Sequence, residues 1–328
     1  MKLKPLIIAI SMIACLSSCI EYEPNAPMLD VETWDMPMGL SSSNSVVWND
    51  TLYILFGREG QRPSSAKPLG YAISLNDPTI VRKFDLPMSA RVKAAGVLVG
   101  SKYYFGLGFY GEIYNDPSYL TDWWCYDFST RQLKRLADMI AHDTDGAIVW
   151  AKDDSKIYLS LGYDSWCSQR TYRYDIPTNS WTIVSENSIR NIRFGALGGC
   201  VNGRSFSGAG CMTEMFNDWN EYNYKLNRWE KRQAMPSAGR IFAATAVARN
   251  EIYVLGGRYF GGTETDEHFY NSIIVYHIAT NSWQVLGLMP EAAEQQIAAY
   301  HRGYLYWGLG QDANGQKIQR LHRHEITQ

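Results

Sequence analysis

The stretch Glu251-Ile252-Tyr253-Val254-Leu255-Gly256-Gly257-Arg258 decides the fold of this chain. It is a short apolar run with an aromatic residue at its centre and a glycine near its end. The pattern occurs six times, always with the aromatic residue four positions before the last glycine. The six pairs are Tyr53 and Gly57, Tyr104 and Gly108, Tyr158 and Gly162, Phe206 and Gly210, Tyr253 and Gly257, and Tyr306 and Gly310. Five steps separate Gly57 from Gly310, so the repeat is about 51 residues long.

A second motif keeps register with the first. It places a tryptophan seven residues after a tyrosine, in Tyr174 to Trp181, Tyr222 to Trp229 and Tyr276 to Trp283. In the fifth repeat, turn residues divide the sequence into four apolar or alternating segments at 241–248, 251–257, 272–278 and 282–286. Such segments predict four antiparallel strands, which make one propeller blade.

The repeat length, the glycine-ended strand and the Tyr-to-Trp spacing together resemble the kelch-repeat family. The resemblance covers nearly all of the chain after residue 28. It implies an all-β fold, a six-bladed kelch β-propeller, in which neighbouring blades cover both faces of each sheet.

The two termini predict how the ring closes. In the sixth repeat no tryptophan follows the third predicted strand before Gln328, whereas Trp34 near the N-terminus has no preceding glycine strand. We therefore expect the N-terminal segment with Trp34 to supply the outer strand of the last blade, which removes an open sheet edge. Trp34 reaches Pro37 in three residues, less than half the span after Trp229 or Trp283. This strand should be shortened or irregular.

The first residues have the features of a signal peptide. Lys2 and Lys4 precede an apolar run from Leu6 to Leu16, which is too short to span a bilayer. The sequence Leu16-Ser17-Ser18-Cys19 resembles the bacterial lipoprotein box, which implies cleavage before Cys19 and acylation of its thiol. The predicted organisation is a signal peptide at 1–18, a tether at 19–28 and the propeller domain at 29–328. The ordinary secretory signal is the alternative.

The resemblance implies an outer-membrane lipoprotein, on the periplasmic side or at the cell surface. Glu21 and Glu23 resemble the surface-export signal of Bacteroidetes lipoproteins. The chain has 31 Lys and Arg against 33 Asp and Glu, a balance that predicts no nucleic-acid partner. We expect no cofactor and no metal, since His322 and His324 share a strand face without a third ligand in view.

Four cysteines follow the lipidation site, and an exported protein can form disulfides. If Asn202-Gly203 is a two-residue hairpin turn, Cys200 faces Ser205 and Cys211 faces Phe194. These two thiols are then too far apart for a bridge. The sequence favours free, buried thiols, with a bridge between Cys125 and Cys167 left open.

Arginines and aromatic residues are predicted to meet at one mouth of the central channel. Three arginines lie 17 residues before a repeat glycine, where the innermost strand begins, and two follow the glycine directly. Antiparallel pairing brings both positions to the same end of the blade. The predicted ligand-binding residues are Arg58, Arg91, Arg193, Arg240 and Arg258, with Tyr110, Tyr163 and Tyr259 between them.

Guanidinium groups suit carboxylates, and aromatic faces suit sugars or peptide side chains. Kelch adaptor domains that capture acidic peptides carry arginines at these positions, so the resemblance implies the same role here. We expect the ligand to be an acidic peptide or an acidic glycan, and a sialic acid is one candidate. The alternative is that the arginines pair with acids such as Asp145 and Asp164 and only fasten blades together.

An enzymatic alternative uses the same mouth. The sequence Pro87-Met88-Ser89-Ala90-Arg91 and the strand from Tyr104 to Gly108 resemble the matching segment of the periplasmic sialic-acid (N-acetylneuraminate) mutarotase. This resemblance implies a sugar mutarotase or epimerase that works by acid and base catalysis. Where that family has an acidic residue after the glycine strand, this chain has Cys211, with Glu214 three positions on.

Overall fold

The computed structural model describes residues 25–112, 116–164, 166–236, 238–261 and 267–326. The predicted signal peptide, Cys19 and the start of the tether lie outside these ranges. Within them, the strands form six four-stranded antiparallel sheets and two two-stranded ones, and η1 (Pro63–Ser65) is a short 3-10 helix. No helix in the described residues is long and apolar enough to cross a bilayer.

The first five blades each run in chain order from an innermost strand at the axis to an outer strand at the rim. Blade one consists of β2 (Asn44–Trp48), β3 (Thr51–Leu55), β4 (Leu69–Ser74) and β5 (Val81–Asp85). Blade two consists of β6 (Ala95–Val99), β7 (Lys102–Gly106), β10 (Trp123–Asp127) and β11 (Gln132–Arg135). Blade three consists of β12 (Ile148–Asp153), β13 (Lys156–Ser160), β14 (Thr171–Asp175) and β15 (Ser180–Ser185). Blade four consists of β16 (Leu197–Val201), β17 (Arg204–Gly208), β18 (Trp219–Asn223) and β19 (Arg228–Arg232). Blade five is β20 (Ala244–Ala248), β21 (Glu251–Leu255), β24 (Ser272–His277) and β25 (Ser282–Leu288).

Two small hairpins extend the loops between the second and third strands of blades two and five. They are β8 (Phe109–Glu112) with β9 (Asp116–Tyr119), and β22 (Arg258–Phe260) with β23 (Glu267–Phe269). Both lie at the end of the propeller where the repeat glycines stand. Between the first two strands of each blade, by contrast, the chain turns in two residues, as at Asn202 and Gly203. The two ends of the ring therefore differ: one carries long loops and the other tight turns.

The sixth blade is closed by the N-terminal strand, as the sequence predicted. Its order is β26 (Ile297–His301), β27 (Tyr304–Gly308), β28 (Arg320–Glu325) and then β1 (Glu32–Asp35). β1 has four residues, which confirms the expected shortening. Trp34 pairs with Leu321, whereas Trp181, Trp229 and Trp283 each pair with a tyrosine. Trp34 therefore belongs to the predicted strand but stands at a different register position.

The repeat glycines join neighbouring blades. The backbone N–H of Gly57 donates to the carbonyl of Arg91 in the next blade at 3.2 Å, and Gly257 and Gly310 donate likewise to Ala293 at 2.8 Å and Leu40 at 2.7 Å. Gly57 has a φ of 92°, and a Cβ there would overlap the Ser43 hydroxyl. Left-handed backbone and close approach both require glycine at this position. The residue that marks the repeat in the sequence is therefore also a contact between neighbouring blades.

The hairpin predicted at Asn202-Gly203 is confirmed. Cys200 pairs with Ser205, and an isolated bridge pairs Phe194 with Cys211. Among the described residues, the four cysteines are free thiols, and three of them are buried. The expectation of free thiols is confirmed, and Cys125 and Cys167 form no bridge.

Indole rings fill the clefts between several neighbouring blades. Trp181 of blade three lies edge-on to Trp123 of blade two, with ring centroids 5.6 Å apart. Trp283 of blade five meets Trp219 of blade four in the same way at 5.1 Å. Burying an aromatic side chain of this size contributes about 2 to 3 kcal/mol to stability. The hydrophobic core is therefore a series of apolar layers between blades.

Candidate functional site at the mouth of the channel

A ring of backbone at the loop-rich end surrounds the propeller axis, and we call this end the mouth. In each blade, the residue after the repeat glycine forms a bridge to a residue that precedes the innermost strand, as in Ser41 with Arg58 and Glu294 with Gln311. The next residue has left-handed φ, at 58° in Ser42 and 54° in Gln295. Ser42 N–H donates to the Gln295 carbonyl at 3.2 Å. Beneath this ring lies a channel of about 310 Å³ that the inner strands line mainly with small residues.

One side of the mouth is polar, and we call it the polar arc: Arg58, Arg258, Glu294, Gln311 and Lys317. Glu294 is buried at its centre, and its Oε1 accepts a hydrogen bond from Gln311 Nε2 at 2.6 Å. Its Oε2 lies 2.9 Å from Arg258 Nε in an ion pair without hydrogen-bond geometry. Lys317 Nζ donates to Gln311 Oε1 at 2.7 Å. Three cations thus surround one buried carboxyl group.

Among the described residues, the hydrogen bonds of Arg58 all go to neutral oxygens, as does that of Lys317. Its guanidinium donates to the Gln61 carbonyl, to Ser41 Oγ at 3.3 Å and to the Oε1 atoms of Gln295 at 3.3 Å and Gln311 at 3.5 Å. Arg258, in contrast, also forms an ion pair with Glu267. The charge of Arg58 is therefore solvated but not neutralised by a bonded carboxylate among the described residues.

The other side of the mouth is lined by rings, and we call it the aromatic arc: Phe109, Tyr119, Tyr163, Phe194 and Phe242. Consecutive ring centroids lie between 6.2 and 6.4 Å apart. These residues come from blades two to five, so the arc forms only where these four blades pack side by side. It presents apolar faces opposite the polar arc.

Lys93 and Asp145 form an ion pair beside the aromatic arc. Lys93 Nζ lies 4.9 Å from the centroid of the Phe242 ring and 5.7 Å from that of Phe109. It donates to Asp145 Oδ2 at 3.3 Å. Burial raises the pKa of Asp145, against the opposing charge of Lys93. The ion pair therefore places a cation over the aromatic faces at the floor of the mouth.

Three of the predicted arginines do not face the mouth. Arg91, Arg193 and Arg240 are completely buried. Arg91 forms a bidentate pair with Asp122 at 2.8 and 2.7 Å, and Arg193 forms a bidentate pair with Asp218. This differs from the expectation of solvent-facing guanidinium groups. Arg91 and Arg193 pair with acids, as the alternative expected, but the acids belong to their own blades and are not Asp145 or Asp164.

The reason lies in the direction of the side chains. Arg91 Nη1 also donates to the Leu107 carbonyl of its own blade at 3.2 Å, and its guanidinium stacks on Phe56 of blade one, 5.0 Å from the ring centroid. The position 17 residues before the glycine thus points between blades. Burial acts to raise the pKa of Asp122, but the hydrogen bonds and charge of Arg91 outweigh it, so the pKa is lowered.

Arg240 is held differently in blade five. Its Nη1 donates to the Gly256 carbonyl at 3.2 Å and its Nη2 to Ser272 Oγ at 3.2 Å. Its guanidinium lies 4.0 Å from the centroid of the Tyr270 ring. Arg240 is thus completely buried, like Arg91 and Arg193.

The remaining predicted residues lie on the loops of the mouth. Arg58 and Arg258 are half-buried in the polar arc. Tyr163 belongs to the aromatic arc, between Tyr119 and Phe194. Tyr259 lies on β22, opposite His268. Tyr110 lies on β8, and its hydroxyl is 3.5 Å from the Ser64 carbonyl.

Sequence reasoning missed Glu294, Lys93 and Phe242. Glu294 forms the bridge to Gln311, so it stands 16 rather than 17 residues before its glycine. Lys93 and Phe242 occupy the left-handed position that follows, with φ of 50° and 58°. A search that shifted the repeat alignment by one and two residues could have found all three.

The titration of two groups in the polar arc is strongly affected by their surroundings. Burial raises the pKa of the Glu294 carboxyl, although the charge of Arg258 opposes the shift. Burial and the charge of Arg58 lower the pKa of Lys317 to about 8. Perturbed groups of this kind concentrate in functional sites. An arriving anion would relieve the repulsion between Arg58 and Lys317.

Comparison with known proteins agrees with this architecture. A family model described as Kelch motif matches residues 239–290. No curated protein matches the sequence. A solved structure titled "Structure of YjhT" is similar with a TM-score of 0.71 at 15% sequence identity, covering 88% of this chain and 95% of that chain. At that identity the likeness concerns the fold alone.

The motif match and the closed ring of six blades define the class of protein. The chain is a kelch-repeat β-propeller with distant similarity to YjhT. This confirms the family and fold expected from the glycine-ended strands. The fold alone does not determine the activity, which has to be argued from the mouth.

Proposed function

We propose that this propeller binds an acidic carbohydrate at the mouth. The observation that carries the proposal is Arg58, a half-buried cation whose hydrogen bonds within the described residues all go to neutral oxygens, opposite an arc of aromatic faces. A carboxylate can accept charge-assisted hydrogen bonds from Arg58 and Lys317. The apolar face of a sugar ring can then stack on the aromatic arc. An acidic peptide would use the same cations but gains less from the rings.

The ligand test removes the two mouth arginines together. Changing Arg58→Ala and Arg258→Ala should weaken binding of N-acetylneuraminate at least about 100-fold, because charged hydrogen bonds in a partly buried site are worth several kcal/mol. Isothermal titration calorimetry measures the affinity. The matched control, Arg135→Ala with Arg228→Ala, removes the same charge from side chains at the rim that are 57% and 58% exposed. It should bind like the wild type.

Two further ligands distinguish an acidic sugar from an acidic peptide as the class of ligand. A neutral amino sugar tests the carboxylate requirement, and a glutamate-rich peptide tests the peptide alternative. Tighter binding of the peptide than of any acidic sugar would make the chain a peptide receptor. Equal affinity of the double variant and the wild type for N-acetylneuraminate would show that the mouth is not the binding site.

Binding should also depend on pH through Lys317. Its pKa of about 8 means that it is charged below pH 8 and neutral above it. A carboxylate ligand stays ionised over this range, so its affinity should fall several-fold as the pH rises from 7 to 9. Lys317→Arg keeps the charge and should flatten the profile. An unchanged slope in that variant would assign the dependence to another group.

Catalysis of anomer exchange is a second candidate, favoured by Glu294 and by the resemblance to the sialic-acid mutarotase. A carboxyl group whose pKa is raised by burial, as that of Glu294 is, is suited to act as a general acid toward the ring oxygen of a cyclic sugar. A base then takes the proton of the anomeric hydroxyl, the bond from the anomeric carbon to the ring oxygen breaks, and a carbonyl forms. The reverse steps close the ring on the other face.

The two candidates differ in turnover. Exchange between the anomers of N-acetylneuraminate can be followed by NMR with and without the protein. Acceleration that is lost in Glu294→Gln, while affinity is retained, would identify an enzyme. An unchanged exchange rate with saturable binding would identify a binding module.

We also propose that the propeller is anchored to the outer membrane through a lipid on Cys19. The support is the Leu16 to Cys19 motif and the proline-containing spacer after it. Replacing Cys19→Ala should abolish lipid labelling and release the protein from the membrane fraction. Recovery of the variant with the membranes in wild-type amounts would contradict the anchor.

A further inference from the structure

The cleft between blades one and two contains a cavity that is not part of the mouth. Its volume is about 420 Å³, within the range of small-molecule pockets. Both blades contribute aromatic side chains to its wall. The rings are those of Tyr53, Phe84, Tyr103, Phe105, Tyr126 and Phe128.

The cavity lies where two other clefts, between blades two and three and between blades four and five, hold a pair of indole rings. Trp181 and Trp283 each pair with a tyrosine of the neighbouring strand, and the matching position in blade two is Leu133, which pairs with Tyr126. Trp123 pairs with Gly106 and Trp219 pairs with Gly208, each on the second strand of its blade. The matching position in blade one is a glycine, Gly70, opposite Leu55.

Only one of the two missing indoles is replaced. The Phe84 ring lies against Gly70, where any Cβ would overlap it. Leu133 lines the cavity and is shorter and narrower than an indole. The unfilled space therefore corresponds to the tryptophan that blade two does not have.

The surface of the cavity is apolar, with charged groups only on its β5 side. Arg82, Lys83 and Asp85 are exposed residues of that strand. Phe128 stands within 5.0 Å of Tyr53 and of Tyr126, measured between ring centroids, so the wall is a connected aromatic cluster. Tyr103 donates its hydroxyl to Asn44 Oδ1, so the polar atom of this wall residue is hydrogen-bonded within the protein.

We propose that this cavity is a binding site for a small, planar, uncharged aromatic molecule about the size of indole. Close packing leaves little empty space in protein interiors, and dry apolar cavities bind apolar ligands of matching size. Aromatic walls favour a planar ring in edge-on or offset contact. In the filled clefts of this same chain, the occupant of the corresponding space is an indole ring.

The test uses 5-fluoroindole, observed by fluorine NMR as increasing amounts of the protein are added. Saturable binding with a dissociation constant below about 1 mM is expected for a ligand of this size. Leu133→Trp supplies the missing indole and should weaken binding at least about 10-fold. The matched control Leu226→Trp makes the same change at an exposed turn and should bind like the wild type.

A second variant guards against a failure of Leu133→Trp to fold. Ala72 lines the cavity from β4, and Ala72→Phe should fill it from the opposite wall and also weaken binding. The proposal is overturned if the wild type shows no saturable binding up to millimolar protein and ligand. It is also overturned if both filling variants fold and bind as tightly as the wild type. N-acetylneuraminate should not displace 5-fluoroindole, since the two sites share no residue.

Discussion

A chain that lacks residues 29–37 is expected to lose at least about 5 kcal/mol of unfolding free energy. The deletion removes β1, exposes the edge of β28 and takes away Met36, which is 4% exposed between blades. It also removes the bidentate pair of Glu32 with Arg323. The melting temperature should fall by at least about 10 °C, and differential scanning calorimetry measures it.

A chain that begins at Asn25 is the matched control, because it keeps β1 and should melt like the longer protein. A point variant tests the contribution of the same segment with a smaller perturbation. Met36→Ala should cost about 2 to 4 kcal/mol by opening a cavity in the layer between blades. If neither the deletion nor Met36→Ala changed the melting temperature, the N-terminal strand would contribute nothing to closure.

Replacing Arg193→Leu should lower the unfolding free energy by about 3 kcal/mol. The side chain is completely buried, donates to the Ala209 carbonyl at 2.9 Å and binds both oxygens of Asp218. Its loss leaves a carboxylate of limited exposure without its cation, and breaking such a pair costs far more than never having formed it. Urea denaturation gives the difference.

Two further variants separate the charge effect from lost packing. Adding Asp218→Asn to Arg193→Leu should recover about 1 kcal/mol or more, because no uncompensated charge then remains. Arg190→Leu removes an exposed arginine nearby and should change stability by less than about 0.5 kcal/mol. A destabilisation of equal size in Arg190→Leu would mean that Arg193 acts through net charge rather than through its pair.

Features that depend on backbone position could be predicted from the sequence. The glycine register predicted six blades, and the unmatched Trp34 predicted which segment closes the ring. The Asn202-Gly203 turn predicted the pairing of Cys211 with Phe194 across the blade. These features follow from strand periodicity and turn chemistry, which are local properties.

Features that depend on side-chain direction could not be predicted in this way. Neighbouring positions on a strand point to opposite sides, so a repeat alignment that is off by one residue exchanges buried and open groups. Arg91 was therefore expected at the mouth and lies between blades, while Glu294 was overlooked one residue further on. The cavity beside Leu133 was equally hidden, because it depends on a comparison between blades that only the pairing register provides.

The closing strand also affects the order of folding events. Thr33 Oγ1 and His322 Nδ1 lie 2.8 Å apart in the last blade, although the two residues are separated by 289 positions in the chain. Contacts of such long range form late, because the loop they close is entropically costly and almost the whole polypeptide must be available first. A nascent chain exposes β1 early and completes its last blade only when β28 has emerged. Slow, single-exponential refolding that is faster in a circular permutant with β1 fused after β28 would be the kinetic signature of this arrangement.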